Sequence, residues 1–303
     1  MASVIPDDID FSSYEAATDA QRRIVPASAF AADTVELFYG DDKRHGAMLP
    51  WSKTHSAIRF TPGAVTLWTG FNGAGKSLLL GQVAISLAAQ GERILTISPE
   101  MAPARLMHRA CRQAAGTDQP AVDFIHRFHA WTDRRLYLYN QLGMVEAKRI
   151  CAVARFFADR FKGTHVIIDS LLKCRIPQDD FNAQHAFVNE LTSIARDTGM
   201  HLHLVAHAKK NPGGDAAMPS RFDVRGSGTI TDQVDMVLTV WRDKRAEAPS
   251  AESAEKPSTL LICDKNRHNA WEGKFGLWYH AASGQFCGDH RCRPMDLMQG
   301  GLD

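Results

Sequence analysis

From Pro50-Trp51 onward, short apolar runs alternate with stretches of helical periodicity along this chain. Apolar runs bounded by turn residues predict strands at 64–69, 93–98, 135–140, 165–169, 202–207 and 236–242, with a pair at 258–264 and 273–280. Apolar positions returning every three to four residues predict helices at 76–89, within 103–127, at 145–160 and at 181–198. Strands alternating with helices read as an α/β fold, a mostly parallel, twisted sheet with helices on both faces that ends in an antiparallel edge. Residues 1–49 break the rhythm with Pro6, Pro26, the Asp7-Asp8 pair and a polar run at 40–46, and are predicted to be an arm rather than a domain. Residues 209–227 read as a polar loop, 246–257 as an exposed low-complexity linker, and 287–303 as a tail after a single domain at 50–286.

Composition narrows this picture. The 303 residues are 45% hydrophobic and 23% charged, as in an ordinary globular chain with one large domain and an extension. A net charge of +1 gives no global nucleic-acid signal, so any basic surface must be local. No apolar run approaches the length of a membrane span and the first residues lack an export pattern, so a cytoplasmic protein with no membrane partner is expected. The six cysteines are scattered, which in a reducing compartment suits small core residues with free thiols. Only Cys287-x-x-His290-x-Cys292 is grouped, and without a fourth ligand at the usual zinc spacing it stays open between a metal site and a disordered tail.

The densest chemistry is Gly70-Phe-Asn-Gly-Ala-Gly75-Lys76-Ser77, between a predicted strand and a predicted helix. Glycines let backbone N–H groups wrap a polyphosphate at a helix N-terminus, while Lys76 reaches the β/γ-phosphates and the Ser77 hydroxyl can ligate Mg²⁺. Gly70, Asn72, Gly73, Ala74, Gly75, Lys76, Ser77 and Leu78 are therefore the expected binding loop for ATP and Mg²⁺.

Ligands of such sheets gather at the carboxyl ends of the strands. Glu100 follows one apolar run, placed either to orient a water attacking the γ-phosphate or simply as a solvated loop charge. Asp169 ends His165-Val-Ile-Ile, an arrangement that holds Mg²⁺ through its water shell. His207 ends a third strand, either as a γ-phosphate sensor or as a satisfied loop histidine. Beyond it, Lys209, Lys210, Asn211, Arg221, Arg225, Gly226, Ser227 and Gly228 put cations, glycines and a small hydroxyl in loops, suited to a single-stranded phosphodiester backbone or to plain solvation. Lys265 and Arg267 end a late strand, where they could reach an adjoining subunit's nucleotide or merely guard a sheet edge.

In this order the motifs resemble the RecA-type motor domain of hexameric replicative helicases, the group containing DnaB, Twinkle and the helicase half of phage primase-helicases. The segments that carry the likeness are Ser98-Pro-Glu100-Met101 with Arg105 and Arg109, Ile168-Asp169-Ser170, His207, Asp223-Val-Arg225-Gly-Ser-Gly228 and Lys265-x-Arg267. The resemblance implies an ATP-driven homo-hexameric ring translocating 5′→3′ on single-stranded DNA at a replication fork, in the cytoplasm of a bacterium or phage-infected host. Glu100 would be the catalytic base, Asp169 the Mg²⁺ carboxylate, His207 the phosphate sensor, and Lys265 and Arg267 the cations supplied in trans. Arg242 matches a residue that stacks on adenine in some members. Primase, polymerase or a loader are the implied partners. No primase module precedes the motor, so priming is not expected. The alternatives are a recombinase- or clock-type RecA relative and an ATP-gated loader or replication scaffold that does not unwind.

Overall fold

Strands that are apolar on both faces require cover on both faces, and the computed structural model, which describes residues 3–5, 26–40, 46–209, 218–224, 228–243 and 255–299, supplies it. The strands are β1 (Ser3–Ile5), β2 (Ala47–Met48), β3 (Arg59–Phe60), β4 (Val65–Thr69), β5 (Ile94–Ile97), β6 (Leu136–Tyr139), β7 (His165–Ile168), β8 (His201–Val205), β9 (Met236–Arg242), β10 (Thr259–Asn266), β11 (Gly273–His280) and β12 (Gln285–Cys287). The helices are α1 (Ala31–Tyr39), α2 (Lys76–Ala89), α3 (Pro103–Ala115), α4 (Val122–Thr132), α5 (Ala147–Phe161), α6 (Phe181–Thr198) and α7 (Thr229–Gln233).

Ten strands form one sheet in the order β1-β6-β5-β7-β8-β4-β9-β10-β11-β12, and β2 pairs with β3 apart from it. Pairing is parallel from β1 to β9 and antiparallel from β9 to β12, as the strand pattern predicts. The register sorts side chains into two cores. Val65, Leu67, Val166, Ile168, Leu202 and Leu204 face α5, α6 and α7. Trp68, Ile167, Val205 and Leu238 face α2, α3 and α4, and are joined by Leu49, Trp51 and Phe60 from around β2 and β3. Helix ends follow local chemistry. Asp180 accepts from the Ala183 N–H at 2.9 Å to start α6, and Gly199 ends it in the left-handed conformation, φ 74°.

Several elements depart from the sequence expectation. Within the expected arm, α1 is a helix whose Val35, Phe38 and Tyr39 are exposed, and β1 extends the parallel edge of the sheet. The expected boundary at residues 286 and 287 falls inside β12, and Leu297 in the expected tail is buried against the α2 side of the sheet. Buried glutamines hold this segment down. Gln82 of α2 accepts from Phe286 N–H at 2.7 Å and donates to Phe286 C=O at 2.9 Å, while Gln113 of α3 donates to Leu78 C=O and Gly284 C=O, each at 2.9 Å. These four hydrogen bonds tie the last hairpin and α3 to the helix that follows the glycine loop.

The α2 side also buries three histidines, His165, His201 and His203. Their hydrogen bonds determine their charge. The Trp68 indole N–H, which can only donate, reaches His203 Nδ1 at 3.2 Å. His203 therefore carries its proton on Nε2 and donates to His165 Nδ1 at 3.1 Å. His165 Nε2–H is left facing Glu92 Oε2 at 3.8 Å. His201 donates from Nδ1 to Thr61 C=O at 2.7 Å and accepts from the Thr66 hydroxyl at 2.8 Å. Each ring is neutral; His201 and His203 have one donor and one acceptor engaged, and His165 has its acceptor engaged. Burial, reinforced by the neighbouring histidines, holds His165 and His203 well below the ordinary range. Burial also brings His201 down to about 4, with the Thr61 carbonyl and Asp235 opposing and His268 adding to the shift.

Folded-state values below the unfolded value of about 6.5 mean that the unfolded chain binds the extra protons. Their contribution is thus complete above about pH 6.5 and lost as pH falls, with His201 alone contributing on the order of 3 kcal/mol across the window down to its folded value. The melting temperature should fall between about pH 7 and pH 5, and His203→Gln should flatten that slope. An equal slope in the variant would show that carboxylates, not these rings, set the acid limit.

Candidate nucleotide site

The glycine loop leaves the carboxyl end of β4 in the middle of the sheet. Gly70 has φ 144°, and a Cβ there would come within 2.2 Å of the Val240 carbonyl oxygen on β9, so only glycine fits. Gly75 caps α2 in the left-handed conformation, φ 90°, with no side-chain cap, and α2 has no acidic residue in its first turn. The N–H groups of Lys76, Ser77 and Leu78 are thus presented at a helix N-terminus with nothing negative competing for them, which is the requirement for phosphate.

Lys76 is buried and donates from Nζ to Gly70 C=O at 2.8 Å and to Phe71 C=O at 2.9 Å. Burial lowers its pKa to about 8, opposed by Asp169 and Glu100. Asp169, one residue beyond β7, is displaced in the opposite sense. Burial raises its pKa, opposed by a hydrogen bond from Ser77, with Glu100 raising it further and Lys76 and Arg109 lowering it. Glu100 accepts at Oε1 from the Ser170 hydroxyl at 3.2 Å. A desolvated ammonium and a desolvated carboxylate share one end of the sheet, and an incoming polyanion with its own cation would offset both costs. By this measure the residues fit a magnesium-bound nucleoside triphosphate, with Ser77 and Asp169 as the natural metal pair.

An open pocket of about 440 Å³ lies over the loop. Asn72, Gly73, Gly75, Lys76, Ser77 and Leu78 form one wall, and Glu100 and His207 line it from the ends of β5 and β8. Residues that the sequence did not single out as ligands complete it: Arg109 and Arg112 of α3, and Tyr279, Ser283 and Gly284 of the last hairpin. Arg112 donates to Ala281 C=O and to Ala282 C=O, holding the hairpin turn against α3. Arg242 lies 3.9 Å over the Tyr279 ring, which also packs on Phe286 at 5.4 Å. The sequence signal for Arg109 and Arg112 was their spacing of three on a predicted helix. Tyr279 sits in an alternating strand and carries no signal of its own.

Gly70 and Ala74 belong to the loop itself, and Phe71 C=O accepts from Ala74 N–H at 3.2 Å. Lys265 and Arg267 are not brought to this pocket. Lys265 donates to Thr231 C=O at 2.7 Å and Asp232 C=O at 3.0 Å, and Arg267 bonds Asp232 C=O and lies 3.7 Å from Asp235 Oδ1. Both therefore sit on the carboxyl end of α7, where cations complement the helix dipole. Lys209 is exposed, its N–H donating to Asp223 C=O at 2.6 Å, and Gly228 caps α7. Arg221 donates to Asp264 C=O at 3.0 Å and faces Glu272 at 3.6 Å. Lys210, Asn211, Arg225, Gly226 and Ser227 lie outside the described residues.

Comparison with known proteins bears on the fold. A solved structure entitled "ATPase Domain of G40P" superposes with a TM-score of 0.73 at 16% identity, covering 89% of this chain and 99% of that one. A structure of a DnaB-like replicative helicase, solved for its interactions with primase, gives 0.69 at 16% identity and covers 87% of this chain and 67% of that one. At this identity the likeness is one of fold, and it bears out the RecA-like P-loop ATPase architecture expected from the motifs. A family profile described as "AAA domain" matches residues 59–213, just over half of the sequence, from β3 past the glycine loop to the segment after β8. The chain belongs to the AAA domain family.

Proposed function

We propose that this chain is the motor of an ATP-dependent replicative DNA helicase, a homo-hexameric cytoplasmic ring that translocates 5′→3′ on single-stranded DNA. The observation that carries the reading is the division of the cations. Lys76, Arg109 and Arg112 stand in or at the nucleotide pocket, whereas Lys265 and Arg267 are held on α7 outside it. A ring in which each subunit lends Lys265 and Arg267 to its neighbour's nucleotide puts this second set to use.

In this mechanism the N–H groups at the start of α2 cradle the phosphates, and Lys76 turns from the Gly70 and Phe71 carbonyls toward the β/γ-phosphates. Ser77 and, through water, Asp169 would hold Mg²⁺, which when bound neutralises charge across the phosphate oxygens. Glu100, held by the Ser170 hydroxyl, orients the attacking water and accepts its proton. Tyr279, backed by Arg242, offers a flat face to the base. His207 senses the γ-phosphate. The next residue, Ala208, bridges to Val224, and Lys209 N–H bonds Asp223 C=O, so a shift of His207 passes into the segment expected to grip DNA. Primase, polymerase or a loader would be the partners at the fork.

The deciding experiment is ATP hydrolysis with and without single-stranded DNA, alongside unwinding of a forked duplex and a measured particle mass. ATP binding without DNA stimulation or strand displacement would overturn the motor reading in favour of a loader. Arg267→Ala should lower turnover by about 10³-fold while the circular dichroism spectrum is kept, and an unchanged rate would remove the trans assignment. Glu100→Gln should bind nucleotide normally and lose at least about 10²-fold in kcat. Tyr279→Ala should raise KM for ATP by about tenfold with kcat preserved, whereas a fall in kcat alone would place the ring outside the base site.

A further inference from the structure

The sequence groups Cys287, His290 and Cys292, and the nucleotide site makes no use of them. Among the described residues no three His, Cys, Asp or Glu side chains are placed to hold a metal ion, so the zinc alternative has no donor set there. What the structure does bring together is the two sulfurs. Cys287 closes β12, buried opposite Trp278 of β11. The chain then turns, with Asp289 Oδ1 accepting from Arg291 N–H at 2.8 Å and Asp289 C=O from Cys292 N–H at 3.2 Å. Cys292 takes the left-handed conformation, φ 49°, which carries its thiol back to hydrogen-bonding distance of Cys287 and to 3.5 Å from Trp278 C=O.

Cys292 differs in kind from the core cysteines. Cys111, Cys151, Cys174 and Cys263 are buried, and burial pushes their thiols up, Cys151 and Cys263 to about 12. Cys292 is only half-buried, and the hydrogen bond with Cys287 holds its thiol below the ordinary value despite partial burial and Asp289. Cations lie near the turn in space or in sequence. Lys53 donates to Gly288 C=O and lies 5.2 Å from the Trp278 ring, and Arg291 and Arg293 flank Cys292 in sequence. A partly exposed thiol held beside a buried second thiol is the arrangement of an attacking and a resolving cysteine.

We propose that Cys292 and Cys287 form a reactive dithiol, a modification site that takes low-molecular-weight disulfides and converts them to thiols by closing an intramolecular disulfide. In the first step the Cys292 thiolate forms a bond to one sulfur of the small disulfide, and the other half leaves as a thiolate that takes a proton from solvent. In the second, Cys287 loses its proton and attacks Cys292 Sγ, expelling the remaining half. The protein dithiol is oxidised by two electrons and the small disulfide is reduced to two thiols. The new bond lies next to Phe286, whose ring backs Gly75 of the phosphate loop.

The test treats the native chain with oxidised glutathione at neutral pH, alkylates the remaining thiols and digests with trypsin, which cleaves after Arg291 between the two cysteines. The expected result is a loss of two titratable thiols, reversed by dithiothreitol, and two tryptic peptides joined through Cys287 and Cys292 without a retained glutathione. Cys287→Ala should stop at a glutathione adduct on Cys292. Cys292→Ala, a change at a half-exposed turn, should acquire no adduct at Cys287. A stable adduct on Cys292 of the native chain, a disulfide between two chains, or a reaction no faster than that of Cys292→Ala would each overturn the proposal.

Discussion

One carbonyl oxygen joins the parts of the nucleotide site. Gly70 C=O accepts from Lys76 Nζ at 2.8 Å and from Ala208 N–H at 3.0 Å, so the phosphate-loop lysine and the residue after His207 are referred to the same atom. Gly70 can occupy that position only because it lacks a Cβ, which would meet the Val240 carbonyl of the neighbouring strand. The contact places β4, β8 and β9 in their mutual arrangement at the catalytic end of the sheet. A ligand that draws Lys76 away from Gly70 would act on the atom that also holds Ala208, and through it on the bridge to Val224, which gives the proposed coupling between nucleotide and DNA a physical origin.

The same end of the sheet is unfavourable to the charges it holds. Burial disfavours the ammonium of Lys76 and the carboxylate of Asp169 alike, and their mutual attraction offsets only part of that cost. Such a site is poised for a ligand that brings both signs of charge. The opposite end of the same strands solves the burial of polar groups differently. His203 and His165 are kept neutral by burial and a chain of donors and acceptors anchored at one end by an indole that can only donate, and His201 by burial and its own bonds to Thr61 and Thr66. The same strands thus carry a charged, ligand-ready end and a neutral one.

The last hairpin shows how structure adds to a motif. Gln82 and Gln113 bind it to α2 and α3, so Tyr279 and Phe286 stand against the phosphate loop although some two hundred residues separate them in sequence. The segment after β12 is held by the same means. Gln285 donates to Met295 C=O at 3.0 Å and accepts from Met295 N–H at 2.8 Å, so what reads as a polar tail is packed chain.

By itself the sequence determined the alternation of strands and helices, because apolar spacing follows the two- and 3.6-residue repeats of those backbones. It also determined the phosphate loop, whose glycines, lysine and serine are adjacent in the chain and act as a local unit. Glu100, Asp169 and His207 were legible as residues closing apolar runs, since strand ends in a parallel sheet point to one edge. Only the tertiary structure decided which distant groups complete the pocket. Tyr279 reaches it through strand order, which leaves no local pattern, and Arg109 and Arg112 through helix packing, which their helical spacing only hints at. Tertiary packing also buried three strand histidines as neutral rings in contact, kept Lys265 and Arg267 out of their own chain's pocket and brought Cys292 back onto Cys287. Each of those outcomes depends on which surfaces meet across the fold, a property of pairs of segments that no single stretch of chain encodes.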